Sequence, residues 1–156
     1  KSSLLASITN ANPKIANYQF TTLNPNLGVA SYDDREITIA DIPGLIQGAH
    51  EGTGLGIQFL KHIERCKTLL HLIDITNNNL QAAYNQVKNE LKNYSPDLLK
   101  KKELIVLNKI DLIDKESVKE IINNFSKKIN GEILTLSTFK KDSVAKIKAK
   151  LIQYVS

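Results

Sequence analysis

The 156 residues include 42% hydrophobic and 24% charged side chains, enough apolar mass for the core of one domain and too much for a disordered chain. A formal charge of +5 would suit a polyanionic partner, but the lysines are scattered along the chain, so charge alone does not define a nucleic-acid protein. The single Cys66 excludes an internal disulfide and a cysteine metal site, no apolar run reaches the ~18 residues of a membrane span, and no leader pattern opens the chain, so a cytoplasmic protein is expected.

The chain opens at Lys1 without any methionine, which predicts a preceding segment in the protein. "KSSLLASITN" carries Leu4, Leu5 and Ile8 at helical spacing. Residues 11 to 26 are polar, contain two prolines and read as a long functional loop. "LGVASY" and "EITIAD" flank "DDR" as two strands joined by a tight turn. "LLHLID" (69–74) and "LIVLNK" (104–109) are nearly all apolar, the pattern of strands buried on both faces, and "EILTLS" is a further strand. Helical periodicity covers 56–65, 80–93, 115–128 and 143–155. Cys66 falls beside the first of these as a small apolar residue at a helix end. From Glu36 onward strand and helix alternate, which predicts an α/β fold with a mostly parallel sheet and right-handed crossovers.

Sheets of this kind take ligands beyond the carboxyl ends of their strands, and the informative side chains cluster there. Asp41 ends one strand within "DIPG": its carboxylate can hold a hydrated Mg²⁺, and the Gly44 N–H can approach a terminal phosphate. Alone, that tetrapeptide also reads as a plain turn. "NKID", Asn108 to Asp111, ends another strand; Asp111 can accept from the ring N–H and exocyclic amine of guanine, a donor pair that adenine lacks. Asn108 would tie neighbouring loops together and Lys109 would lay its stem along the base, although the motif by itself also fits a solvated turn. Ser137 and Thr138 could offer backbone N–H groups to the base oxygen. Lys1 and Ser2 open a helix as the last two residues of a G-x-x-x-x-G-K-[ST] phosphate loop would. The order of these turns along the chain is more informative than any one of them.

The runs "YQFTTLNPNLGV", "DIPGLIQGAHEGTGLGIQFLKHIERCKTLLHLID" and "NKIDL" resemble the GTPase domain of the Obg family of bacterial GTP-binding proteins, over essentially all 156 residues. The eukaryotic Drg proteins and the YchF-type ATP-binding relatives share the threonine loop and DxPG, but "LNPNLG" and "GAHEGTGLG" follow Obg, and an intact "NKID" favours guanine. The resemblance implies a three-layer P-loop NTPase-type GTPase domain over 1–156: a mostly parallel central sheet with one antiparallel strand and helices on both faces. It also implies that the first strand and the phosphate-loop glycines, the glycine-rich N-terminal domain and any C-terminal extension lie outside this sequence.

By the same resemblance, GTP is bound by Lys1, Ser2, Phe20, Thr21, Thr22, Asp41, Ile42, Pro43, Gly44, Asn108, Lys109, Asp111, Ser137, Thr138 and Phe139. Mg²⁺ is held by Ser2, by Thr22 and, through water, by Asp41. Thr138 stands where the family usually has alanine, a contact made by backbone N–H. Glycines between 44 and 56 give the second switch its alternative backbone states. Leu45 occupies the position of the usual water-orienting glutamine, so slow hydrolysis is expected; Gln47 is the candidate substitute, and relatives that use K⁺ hold it with an asparagine that would precede Lys1. His50 is a candidate switch or partner contact, whereas His62 and His71 read as packing or surface residues. The implied function is a slow, Mg²⁺-dependent GTPase switch, monomeric, acting with rRNA in large ribosomal subunit assembly and in growth or stress control, with guanosine alarmones as further ligands. The alternative is a ribosome- or rRNA-binding module that binds nucleotide without significant turnover.

Overall fold

The computed structural model describes residues 2–9, 14–15, 26–41, 61 and 63–155. Leu4, Leu5 and Ile8 bury one face of helix α1 (Ser2–Ile8), as their spacing requires. A short strand β1 (Lys14–Ile15) falls inside the stretch expected to be loop; it pairs antiparallel with β2 (Asn26–Tyr32), its neighbour in the sheet. β2 pairs antiparallel in turn with β3 (Arg35–Asp41). The hairpin closes through Asp33 and Asp34, both at positive φ (51° and 58°). Two consecutive left-handed residues match the twist of the flanking strands, and aspartate tolerates that region better than most side chains.

The second sheet is parallel, in the order β4 (Thr68–Asp74), β5 (Lys102–Asn108), β6 (Glu132–Leu136). Along the chain α2 (Leu80–Tyr94) connects β4 to β5, α3 (Lys115–Ser126) connects β5 to β6, and α4 (Lys141–Val155) follows β6. The alternation read from the sequence is therefore borne out, with helix boundaries within two residues of expectation. The expected helix at 56–65 lies mostly outside the described residues; residues 61 and 63–65 are helical. Two single turns of 3₁₀ helix, Pro96–Lys100 and Ile110–Leu112, were not legible as elements. Proline at the start of the first explains why α2 stops at Tyr94. Caps set the starts of α2 and α3: the Asn79 side chain accepts from the Ala82 N–H, and Asp114 accepts from the Ser117 N–H.

β5 is the central strand of its sheet, and Leu104 to Leu107 are all 1% exposed or less. Alternate side chains serve opposite layers: Leu104 and Val106 join Leu4, Ile8, Leu136, Val144, Ile147 and Leu151 under α1 and α4, while Ile105 and Leu107 join Ile73, Phe125 and Ile129 on the other face. Burial on both faces is why residues 104–107 are all apolar. Along β4 Ile73 is buried and the other six residues are half-buried among the described residues. α4 touches β6 as well as β2 and β3, so this helix bridges the two sheets.

Candidate functional site

The parallel sheet brings "NKID" and "STF" side by side. Asn108 ends β5 and lies in register with Leu136, the last residue of β6, so the two loops leave adjacent strands at the same edge. Asn108 is 8% exposed and Ser137 is fully buried. Among the described residues, their Asn108 Oδ1 and Ser137 Oγ atoms are two of only three buried side-chain polar atoms that make no hydrogen bond, the third being Gln81 Oε1. An unmet buried polar atom costs about 1–3 kcal/mol, so two of them at one strand edge mark a place where partners are supplied from elsewhere.

Lys109 follows in the left-handed conformation, φ 64° and ψ 33°, which turns the chain sharply into the Ile110–Leu112 turn. Asp111 is exposed there, as is Leu112 at 63%. Lys109 Nζ reaches back to Asp74 Oδ2 at 2.5 Å. This contact, together with a hydrogen bond from Thr76, holds the Asp74 carboxyl below the usual carboxylate range despite its partial desolvation.

On the β6 side, Ser143 of α4 organises the loop. Its Oγ accepts from the Ser137 N–H at 3.0 Å and donates to the Thr135 carbonyl at 3.4 Å. The Ser137 N–H is thus committed within the protein. Phe139 is 86% exposed on the same loop.

The remaining expected site residues are less completely placed. Asp41 closes β3 and Ser2 opens α1. Lys1, Phe20, Thr21, Thr22, Ile42, Pro43, Gly44, Leu45, Gln47, His50 and His62 lie outside the described residues. Two contributors escaped sequence reading. Asp74 ends "LLHLID", so the strand-end rule alone could have flagged it, whereas Ser143 carries no signal apart from its place in the first turn of a helix. Cys66 is half-buried at the end of the 63–65 helical segment, and burial raises its thiol pKa. Among the described residues no group of three His, Cys, Asp or Glu could hold a metal, and no helix is long and apolar enough to cross a membrane.

This architecture is the fold of the P-loop GTPases. It superposes on Era, solved in complex with MgGDPNP and a segment of 16S ribosomal RNA, with a TM-score of 0.75 at 22% identity, over 99% of this chain and 52% of that one. It superposes on the cytosolic domain of the T. maritima FeoB iron transporter in a GDP form with a TM-score of 0.74 at 18% identity, over 100% and 58%. The chain belongs to the 50S ribosome-binding GTPase family, whose model matches residues 1–109. The resemblance to Obg is borne out as well: the chain is 73% identical to GTPase Obg of Pelagibacter ubique over its whole length and 54% identical to GTPase Obg of Rickettsia felis over 94% of it. It covers 48% and 44% of those two proteins, and so spans about half the length of the curated relatives it matches.

Proposed function

We propose that this domain binds GTP and hydrolyses it slowly to GDP and phosphate, switching the protein's hold on the large ribosomal subunit during its assembly. The observation that carries the reading is the pair of buried, unpartnered atoms, Asn108 Oδ1 and Ser137 Oγ, on adjacent strand ends beside the exposed Asp111. A guanine base and the loops it orders would supply partners at that edge: Asp111 accepts from the two guanine donors, the Thr138 N–H meets the base oxygen, and the Lys109 stem covers one ring face. The exposed Phe139 ring stands on the neighbouring loop.

The donors assigned to Mg²⁺, the Ser2 and Thr22 hydroxyls and the Asp41 carboxylate, are all hard oxygens, the set this ion prefers. Bound there, Mg²⁺ would neutralise charge on the outer phosphates. Leu45 has no polar atom with which to orient water, which supports a slow intrinsic rate. Faster turnover in K⁺ than in Na⁺ is the expected result if a monovalent cation replaces the missing side chain. The ribosomal partner is supported by the family's description and by the net charge of +5.

Binding of fluorescent GDP and GTP to the full-length protein, with ATP as competitor, tests the reading. Guanine nucleotides should bind in preference to ATP, and Asp111→Asn should weaken GDP by about ten- to a hundredfold and remove the preference. Failure of the wild type to bind nucleotide, together with salt-sensitive RNA affinity, would replace the switch with an rRNA-binding module.

A further inference from the structure

We infer that Asp74 is a positioning residue for guanine-nucleotide binding: its carboxylate fixes the Lys109 side chain before the base arrives. The inference rests on the proposed nucleotide reading of "NKID" and adds to it a residue on a different strand.

The geometry divides the two oxygens of one carboxylate between two tasks. Asp74 Oδ1 accepts from the Thr76 N–H at 3.0 Å and from the Thr76 hydroxyl at 2.7 Å, a short local turn that fixes the carboxylate plane. Oδ2 then faces Lys109 Nζ at 2.5 Å. The two residues meet because Asp74 and Asn108 are register partners at the ends of β4 and β5, with the Ile75 N–H donating to the Asn108 carbonyl at 3.0 Å. Lys109 sits in a left-handed turn and its side chain reaches Asp74 at the end of β4. A lysine in that backbone region is uncommon, and such conformations persist where the surroundings hold them.

The pair is only half-shielded, Lys109 being 53% and Asp74 36% exposed, so it lies at the surface where a ligand can reach the lysine stem. A pair this exposed is a weak source of fold stability. Its effect is greater on order. A free lysine samples many rotamers, and holding it against Asp74 removes in advance much of the entropy that covering a base would otherwise cost.

The test is GDP affinity of the full-length protein with Asp74→Ala, Asp74→Glu, Lys109→Ala and the Asp74→Ala/Lys109→Ala pair, at low and high salt. Asp74→Ala should weaken GDP about fivefold with only a small drop in melting temperature from the lost Thr76 hydrogen bonds, Asp74→Glu should restore much of the affinity, and Asp74→Ala should have no further effect on affinity once Lys109 is alanine. High salt should shrink the effect. Wild-type affinity in Asp74→Ala, or an equal loss in the Lys109→Ala background, would overturn the inference while leaving the nucleotide reading standing. A wild-type protein that binds no GDP would instead overturn that reading, and the role of Asp74 with it.

Discussion

Glu103, near the start of β5, accepts from His71 of β4 across 2.9 Å and stands at the centre of a half-buried polar cluster. Its other oxygen takes the Lys88 ammonium at 2.7 Å and the Tyr84 hydroxyl at 3.2 Å, both from α2. The Tyr84 ring stacks on His71 with centroids 5.3 Å apart and meets Phe125 of α3 edge-on. One carboxylate therefore ties two strands to a helix. The same cluster pushes the Tyr84 hydroxyl pKa up to about 12, chiefly through burial and then through the neighbouring Glu103 charge.

Replacing Glu103 with glutamine should destabilise the fold by about 2 kcal/mol at neutral pH, because it leaves the Lys88 charge without its partner. Burial acts to raise the Glu103 pKa, but hydrogen bonds from His71 and Lys88 together outweigh it and hold the carboxyl below its ordinary value. A carboxyl depressed in the folded state contributes its full stability above the unfolded pKa of about 4.3 and loses it as pH falls through the lower folded value. Denaturant midpoints of wild type and Glu103→Gln should consequently differ at pH 7 and converge on acidification below about pH 4. A gap that stays constant into acid would show that the cluster does not depend on the Glu103 charge.

Ser143→Ala should cost about 1 kcal/mol by leaving the Ser137 N–H without its acceptor. Because that contact sets the loop carrying Thr138 and Phe139, GDP affinity should fall as well, while Ser143→Thr, which keeps the hydroxyl, should retain most of both. Thermal melts and nucleotide titrations on the two variants decide the matter.

Gly28 of β2 has no room for a side chain. A Cβ there would come within 2.9 Å of Thr9 Cβ and press on Thr9 Cγ2, at the end of α1. Thr9 cannot swing away cheaply, since its Oγ1 donates to the Leu5 carbonyl at 2.7 Å. Gly28→Ala should destabilise the domain by about 1–3 kcal/mol, and adding Thr9→Gly should recover part of the loss. Equal denaturation midpoints for wild type and Gly28→Ala would contradict the close approach of α1 to β2.

By itself, the sequence determined most of the elements and the placing of two motifs at strand ends. The apolar run of residues 104–107 reported burial on both faces, and "NKID" and the Ser137–Phe139 segment announced their places at strand ends, because each of these signals is local. Tertiary structure alone decided how distant segments meet. Glu103 meets His71, Tyr84 and Lys88 across separations of 15 to 32 residues. Asp74 reaches Lys109 only through parallel register. Contacts of this kind depend on the packing of whole elements, and no window along the chain contains that packing.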